Sequence, residues 1–287
     1  MKFYIIIPAH NESKTIGLTL NSLVNQTRLP KKIVVVNDNS DDNTEKIVSE
    51  FCKKYNWIKS VNVSSSSDHT PGAKIINAFY KGYAILDDQY DVISKFDADL
   101  IFDPDYIEKI YNHFRGNNKL GIVGGVCYIK RGEKWIPESK YRDDHIRGAI
   151  KSYRKDCFIE IGKIKNSIGW DTIDEFLAKY YSWNILVDSK LKVKHLRATG
   201  DRYNRESEKL QGVASFRMRL GIILTFLSGI KSAINKGRFS IVKSYLTGYF
   251  MAKSKKMSFL VNREQGKFIK SSRWRGIFKR LFLIKKK

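Results

Sequence analysis

The sequence predicts an α/β fold in which a mostly parallel sheet is flanked by helices and followed by a basic helical C-terminal extension. Up to residue 96, strand-like apolar runs alternate with segments of helical periodicity. The first two of these runs are continuously apolar over several positions, as expected for strands that helices cover on both faces. Positive charge is concentrated in the last third of the chain, which marks that part as a different kind of surface.

The first two strand and helix pairs follow from residue spacing. The run KFYIIIPA predicts a buried strand, and NESKTIGLTLNSLVNQ predicts a helix because Ile16, Leu20 and Leu23 recur on one helical face. The run KKIVVVNDNS predicts a second buried strand. The segment DNTEKIVSEFCKKY predicts a second helix, in which Asp42 precedes Glu45 by the three-residue spacing of a capping box.

Two further strands and a third helix complete this alternation. The segments IKSVNVS and DVISKF predict strands, and AKIINAFYKGYAIL between them predicts a helix. Such an order favours a parallel sheet with helices on both faces. Ligands of such sheets bind outside the carboxyl ends of the strands, where this chain carries PAHNE, NDNSDDN and DAD.

Composition and cysteine content restrict the class of protein. With 287 residues, 42% of them hydrophobic, the chain has enough apolar material for one large domain with an appendage. Its three cysteines form no CxxC pair and cannot all be joined in disulfides, which favours a reducing cytoplasm and argues against structural zinc. The first apolar run stops at Pro8 and is too short for a signal peptide or a membrane span.

The charge distribution predicts two domains. Residues 1–200 carry 31 Lys and Arg against 25 Asp and Glu, whereas residues 201–287 carry 22 against 4. We therefore place a boundary near Gly200, between an α/β domain over residues 1–200 and a basic helical tail over residues 201–287.

Four aspartates fall within nine positions in the stretch SKFDADLIFDPDY. Asp103 precedes Pro104 and Asp105 follows it, so capping and compensation of the helix dipole account for both acids. Asp97 and Asp99 leave a strand two residues apart, and an extended backbone points both carboxylates the same way. This pair is either a cation site or a solvated acidic loop, because a lone DxD is a common pattern.

Other acids at the predicted carboxyl edge favour the cation site. Glu12 follows the first strand, and Asp38, Asp41 and Asp42 end or follow the second. Oxygen ligands of this kind suit Mg²⁺ or Mn²⁺, which complete their shells with water and substrate phosphates. The sequence therefore predicts a divalent-metal site that binds a diphosphate-bearing substrate.

The segments IIIPAHNE, IVVVNDNSDDNT, KFDADLIFDPDYI, GWDTIDEF and VKHLR, in this order, resemble the family 2 glycosyltransferases with the GT-A fold. The resemblance covers about residues 1–200. It implies an inverting transfer of a sugar from a nucleotide diphosphate donor, UDP- or GDP-linked, to a hydroxyl of a glycan or lipid-linked acceptor. It also implies a divalent metal, Mg²⁺ or Mn²⁺.

The resemblance further implies roles for individual residues. The residues that match the donor pocket are Pro8, Ala9, His10, Glu12, Asp38, Lys74 and Asp97. Asp38 would hydrogen bond the base, Asp97 would reach the ribose, and Lys74 is a candidate phosphate contact that also fits an ordinary exposed lysine. Asp99 and His195 would hold the metal. Where the family often has glycine, Asn39 can supply the left-handed backbone that the turn needs.

The acceptor side is predicted around GWDTIDEFLAKYYSW. Asp171, Asp174 and Glu175 lie near the start of one helix, and capping accounts for at least one of them. The resemblance implies that Asp174 is the general base, with Asp171 and Glu175 as rivals. Trp170, Tyr181 and Trp183 either line an acceptor pocket or pack in the core.

The basic tail predicts a membrane surface as its partner. GIILTFLSGI is half the length needed to cross a bilayer. In FIKSSRWRGIFKRLFLIKKK, Trp274, Ile277, Phe278 and Leu281 fall near one face among cations, the pattern of a helix lying on an anionic membrane. Nucleic acid is the weaker alternative, since it does not require the apolar stripe. We therefore expect a cytoplasmic protein, peripheral on the inner face of the cell membrane, that binds no nucleic acid.

Three other classes of protein fit less well. A nucleotidyltransferase shares much of this architecture, but its glycine-rich phosphate loop is replaced by PAHNE. An NAD-dependent oxidoreductase requires GxGxxG after the first strand, where the sequence has none. A non-catalytic α/β protein that binds nucleic acid or membrane would not need Asp97, Asp99 and Asp174 together.

Overall fold

A computed structural model describes residues 1–64, 73–138, 145–197 and 205–284. The chain divides into two compact units. The sheet unit comprises Met1–Asn166 and Trp170–Thr199, and the helical unit comprises Ser167–Gly169 and Gly200–Lys287.

The first half of the sheet unit is a parallel sheet with buried strands. Its strands are β1 (Phe3–Ala9), β2 (Lys32–Asp38), β3 (Ile58–Val63) and β4 (Val92–Phe96). They lie in the order β3-β2-β1-β4 and pair in parallel. Every residue of β1 and β4 is buried, which explains why these segments are apolar apart from Ser94 and Lys95 of β4.

Helices connect these strands as the sequence predicts. They are α1 (Ile16–Val24), α2 (Thr44–Lys54) and α3 (Ala73–Tyr83). α3 packs so closely on the sheet that a Cβ at Gly82 would approach side-chain atoms of Ile6 and Val36 to 2.8 and 2.7 Å. The predicted mostly parallel sheet flanked by helices is therefore confirmed.

The second half of the sheet unit adds mostly antiparallel pairs. Its elements are β5 (Leu100–Phe102), α4 (Tyr106–Gly116), β6 (Leu120–Arg131), β7 (Lys134–Pro137), β8 (Ile150–Arg154), α5 (Lys155–Glu160), α6 (Trp170–Tyr180) and β9 (Asn184–His195). The sheet continues from β4 through β8, β6 and β9 to β5, with β7 paired to β6. Because β5 pairs with the end of β9, Leu100 lies opposite His195.

Four helices form the described part of the helical unit. They are α7 (Arg205–Arg217), α8 (Ile222–Lys236), α9 (Ser240–Ser254) and α10 (Arg263–Ile284). α7 and α9 are in backbone contact, since a Cβ at Gly212 would meet the Tyr245 carbonyl and one at Gly248 would meet the Lys209 carbonyl. Among the described residues, no helix is long and apolar enough to cross a membrane.

Two helix starts differ from the expected capping. α2 begins after Asn43 without a side-chain cap, and Glu45 instead accepts a hydrogen bond from Asn62 Nδ2 at 2.6 Å. The capping box is therefore wrong, although the Asp42 carboxylate does accept a bond from the Thr44 amide at 2.9 Å. α4 begins after Asp105, whose carboxylate pairs with Lys109 at 2.7 Å and does not cap the helix.

Candidate active site

The loops that follow β1 and β2 are bonded to each other at the carboxyl edge of the sheet. His10 Nδ1 lies 2.6 Å from the Asp38 carbonyl oxygen, and the Ser13 amide donates to Asp42 Oδ2 at 3.0 Å. Asn39 adopts φ 51°, which confirms that asparagine supplies the left-handed turn expected there. These bonds hold the two loops, which carry several of the predicted donor-pocket residues, against each other.

Lys74, the predicted phosphate contact, lies in the first turn of α3, directly after the undescribed residues 65–72. It is partly exposed. Its role as a phosphate contact stays a prediction.

The turn that carries Asp97 and Asp99 is held by Thr19 of α1. The Thr19 hydroxyl donates to the Ala98 carbonyl at 2.8 Å and accepts from the Leu100 amide at 3.0 Å. This two-point attachment fixes the backbone on both sides of Asp99. Asp97 remains partly exposed and pairs with Lys95, whereas Asp99 is buried.

Asp99 lies between two cationic side chains. Its Oδ1 is 3.3 Å from His195 Nε2, and its Oδ2 is 3.2 Å from Arg197 Nη2, which also pairs with Glu12. Burial would raise the pKa of the Asp99 carboxyl, but His195 and Arg197 outweigh it and lower that pKa. Asp99 is therefore a carboxylate in this structure.

His195 is held from its other side by a residue that sequence reasoning missed. Its Nδ1 lies 2.9 Å from Glu138 Oε2, and Glu138 Oε1 pairs with Arg147 at 3.2 Å. Burial would lower the pKa of His195, but hydrogen bonds to Asp99 and Glu138 raise it to about 9. Glu138 follows β7, and the sequence gives no signal that this loop reaches the end of β9.

Asp97, Asp99 and His195 can together hold a metal ion. Each offers one ligand atom, and the three atoms lie within 4.8 Å of one another. Two carboxylate oxygens and an imidazole nitrogen suit Mn²⁺ better than Mg²⁺, which prefers oxygen ligands. The residues present therefore fit the predicted divalent metal.

The predicted base, Asp174, lies in the interior of the sheet unit. Its side chain is 0% exposed, with Oδ1 2.7 Å from Lys151 Nζ and Oδ2 bonded to the Tyr153 hydroxyl. Burial raises the pKa of Asp174, and although the bonds to Lys151 and Tyr153 oppose this, that pKa reaches about 7. Since both oxygens are engaged away from the surface, this geometry argues against Asp174 as the group that contacts an acceptor hydroxyl.

Glu175 is engaged in the same buried cluster. Its Oε1 lies 2.9 Å from Lys151 Nζ and accepts a bond from the Ile146 amide, while its Oε2 lies 3.0 Å from His145 Nδ1. Burial would raise the pKa of Glu175, but Lys151 and His145 lower it. Glu175 therefore acts as a structural carboxylate that orients His145.

Asp171 is the exposed acid of the three. Its side chain is 30% exposed in the first turn of α6, and its Oδ2 lies 3.9 Å from His145 Nε2. Its carbonyl accepts a bond from Lys151, which fixes the start of the helix. Asp171 and His145 thus present titratable groups to solvent beside the buried cluster, and His145 was not expected from the sequence.

Of the aromatic residues considered for the acceptor side, Trp170 is buried, whereas Tyr181 and Trp183 are partly exposed. Trp170 is 6% exposed, and its ring lies 5.5 Å from Lys95 Nζ and 5.8 Å from Lys151 Nζ. Trp183 donates to Glu160 at 2.6 Å, and the Tyr181 ring packs on Tyr180.

Comparison with known proteins agrees with this fold. The family model described as "Glycosyl transferase family 2" matches residues 4–168. The "Probable glycosyltransferase YdaM" of Bacillus subtilis is 41% identical over 138 residues, which are 47% of this chain and 31% of that protein. The "Poly-beta-1,6-N-acetyl-D-glucosamine synthase" of Staphylococcus epidermidis is 32% identical over 125 residues, which are 44% of this chain and 28% of that one. The chain therefore spans about a third of the length of these relatives.

Among solved structures, residues 1–349 of S. aureus TarS in complex with UDP-GlcNAc superpose with a TM-score of 0.59. The sequences are 19% identical, and the match covers 93% of this chain and 78% of that one. This likeness shows that the chain has the GT-A fold. The chain belongs to glycosyl transferase family 2.

Proposed function

We propose that this chain transfers a sugar, with inversion, from a nucleotide diphosphate donor to a hydroxyl of a glycan or lipid-linked acceptor. The observation that carries the proposal is the convergence of Asp97, Asp99 and His195 beside the loops after β1 and β2. Such a site can hold a cation, a diphosphate and a nucleoside together.

The donor would bind along the rim formed by these loops. Pro8, Ala9, His10, Glu12 and Asp38 would contact the base and ribose, with Asp97 at the ribose and Lys74 at the phosphates. A UDP-linked sugar is favoured over a GDP-linked one because the structural relative TarS was solved with UDP-GlcNAc.

Asp99 and His195, with Asp97 beside them, would hold Mn²⁺ or Mg²⁺. Such a cation supplies charge that offsets the negative charge developing on the departing diphosphate. Glu138 fixes the orientation of His195 through Nδ1, which leaves Nε2 directed at Asp99. Arg197 places a second positive charge at the same carboxylate.

We propose Asp171, in place of Asp174, as the general base. Its exposed carboxylate would accept the acceptor proton while the hydroxyl oxygen attacks the anomeric carbon. As that bond forms, the bond to the diphosphate breaks, and one in-line displacement inverts the configuration. Lys151 donates to the Asp171 carbonyl and so fixes the first turn of α6, which carries Asp171.

The proposed acceptor is supported by a relative, and the proposed location is supported by the charge of the C-terminal residues. The relative named as a poly-β-1,6-N-acetyl-D-glucosamine synthase makes a polysaccharide, which supports a growing surface glycan as acceptor. The excess of 22 Lys and Arg over 4 Asp and Glu in residues 201–287 supports a peripheral position on an anionic inner membrane face.

A donor panel tests this proposal. The protein is incubated with UDP- and GDP-sugars, with and without Mn²⁺, and release of the nucleoside diphosphate is measured. We expect release from at least one UDP-sugar, only with metal, and a transferred sugar of opposite anomeric configuration by NMR. Release that needs no metal, or a retained configuration, contradicts the proposal.

A further inference from the structure

The outward face of α8 carries apolar side chains that do not pack in the helical unit. Ile223, Phe226 and Ile234 are 61%, 43% and 68% exposed. Their spacing places them on one side of the helix. The opposite side, including Leu224 and Gly229, is buried.

α9 carries a second stripe of the same kind. Phe239, which precedes the helix, is 80% exposed, and Phe250 is 48% exposed. These two residues and Leu246 lie along one groove together with Lys243. The other side of α9 packs against α7, since Gly248 closely approaches the backbone of that helix.

The two helices pack directly on each other. A Cβ at Gly229 of α8 would lie 3.2 Å from Val242 Cα of α9. Both stripes therefore belong to one helix pair. We call the six residues Ile223, Phe226, Ile234, Phe239, Leu246 and Phe250 the α8–α9 face.

The charge around this face is mainly positive. Residues 209–263 contain eleven Lys and Arg and no Asp or Glu. Lys231, Lys236 and Lys243 are exposed next to the stripes. Glu208 of α7 pairs with Arg238 beside Phe239, but the lysines next to the stripes make this border mainly positive. Such a stripe is complementary to a surface that is apolar beneath and anionic at its rim.

We propose that the α8–α9 face docks on the surface of an anionic lipid bilayer. A second copy would bring the same cations against themselves, which disfavours a symmetric dimer through this face. Nucleic acid phosphates would pair with the lysines but leave the exposed Ile and Phe side chains in water. The inference rests on the proposed membrane location. It assigns membrane binding to the α8–α9 face, whereas the sequence predicted the apolar stripe of α10.

α10 keeps fewer of its apolar residues exposed. Ile269 is buried, and Trp274 stacks on Phe278 with ring centroids 5.8 Å apart. The side chains of α10 are described up to Lys279. Among them, Phe278 is the large apolar residue that is half-exposed. Leu281, part of the predicted stripe, lies outside them.

Flotation with vesicles tests the face. The variant Ile234→Ser/Phe239→Ser/Phe250→Ser removes three exposed side chains. The variant Leu18→Ser/Leu29→Ser/Ile85→Ser removes three apolar residues of the sheet unit that are each about half-exposed, and it is the control. Phe278→Ser probes α10, and thermal melting followed by circular dichroism verifies that each variant is folded.

We expect the face variant to bind vesicles of phosphatidylcholine and phosphatidylglycerol at least about tenfold more weakly than the wild type, with the control and Phe278→Ser nearly unchanged. Vesicles of phosphatidylcholine alone should bind the wild type weakly. The proposal is overturned if the folded face variant floats like the wild type. It is also overturned if the face variant disrupts a dimer of this chain, or if it loses nucleic acid binding and keeps vesicle binding.

Turnover of soluble donor separates this inference from the proposed function. The face variant should keep wild-type donor turnover, because its changes lie outside the sheet unit. A protein that binds vesicles through this face but releases no nucleoside diphosphate from any donor would contradict the proposed function and leave the surface assignment standing.

Discussion

Lys95 and Lys151 lie directly opposite each other on the antiparallel strands β4 and β8, both buried, with the ring of Trp170 within 6 Å of both ammonium groups. Like charges in this arrangement repel, so each lysine needs its own counter-charge. Lys95 pairs with Asp97, and Lys151 pairs with Asp174 and Glu175. One cross-strand pair of lysines therefore holds Asp97 on one side and Asp174 and Glu175 on the other.

Removing one lysine tests this arrangement. Lys151→Met should lower the free energy of unfolding by about 3–5 kcal/mol, because it removes the buried cation that pairs with both Asp174 and Glu175. Lys155→Met is the control, since Lys155 forms a surface pair with the exposed Asp88 and should cost under about 1 kcal/mol. Equal, small losses in guanidinium denaturation would show that the buried pair contributes little.

Three variants decide which acid is the base. Asp171→Asn should reduce the rate of transfer by about a hundredfold or more, with near-normal nucleotide affinity and melting temperature. Asp174→Asn and Glu175→Gln should mainly lower the melting temperature, because both carboxylates are bonded to Lys151 in the interior. Asp174→Asn could instead reduce the transfer rate at an unchanged melting temperature while Asp171→Asn stays active. Asp174 would then be the base, as the sequence resemblance implies, and our assignment of Asp171 would be wrong.

Asp42 gives a prediction for the dependence of stability on pH. Burial would raise the pKa of its carboxyl, but hydrogen bonds from Ser13 and Thr44 hold that pKa well below its ordinary value of 3.8. Because the folded-state pKa is depressed, the stabilisation is present above the ordinary value and is lost as the pH falls through the depressed one. Asp42→Asn should cost about 1 kcal/mol at neutral pH.

That cost should begin to shrink below about pH 5, because Asp42 of the unfolded chain takes up a proton there, while Asp42 of the folded protein stays charged until the pH falls to its depressed pKa. Urea denaturation across this range measures the difference, and Asp41→Asn, at the exposed neighbouring position, is the control. A cost for Asp42→Asn that stays constant down to the lowest pH would show that the charge of Asp42 does not stabilise the fold.

The parallel half of the sheet could be predicted from the sequence because its signals are local. Continuous apolar runs mark buried strands, and two aspartates separated by one residue point the same way on an extended chain. The left-handed turn at Asn39 is likewise a property of a single residue.

The rest of the site depends on long-range pairing. Glu138 reaches His195 only because β6 pairs with both β7 and β9. Whether Asp171 or Asp174 is the accessible acid depends on which residues of α6 face Lys151. The spacing of the acids along the sequence does not determine this. Neither relationship has a local sequence signal.

The central claim is that Asp99 holds the metal at the donor diphosphate, and one measurement tests it most directly. Nucleoside diphosphate release from the accepted donor is compared between wild type, Asp99→Asn and the control Asp105→Asn, with Mn²⁺ and with excess EDTA. Asp105 is a surface acid on the helix that follows, paired with Lys109. We expect wild type and Asp105→Asn to turn over only with Mn²⁺, and folded Asp99→Asn to lose activity about a hundredfold or more. Full activity of Asp99→Asn, or of the wild type in EDTA, would contradict the account.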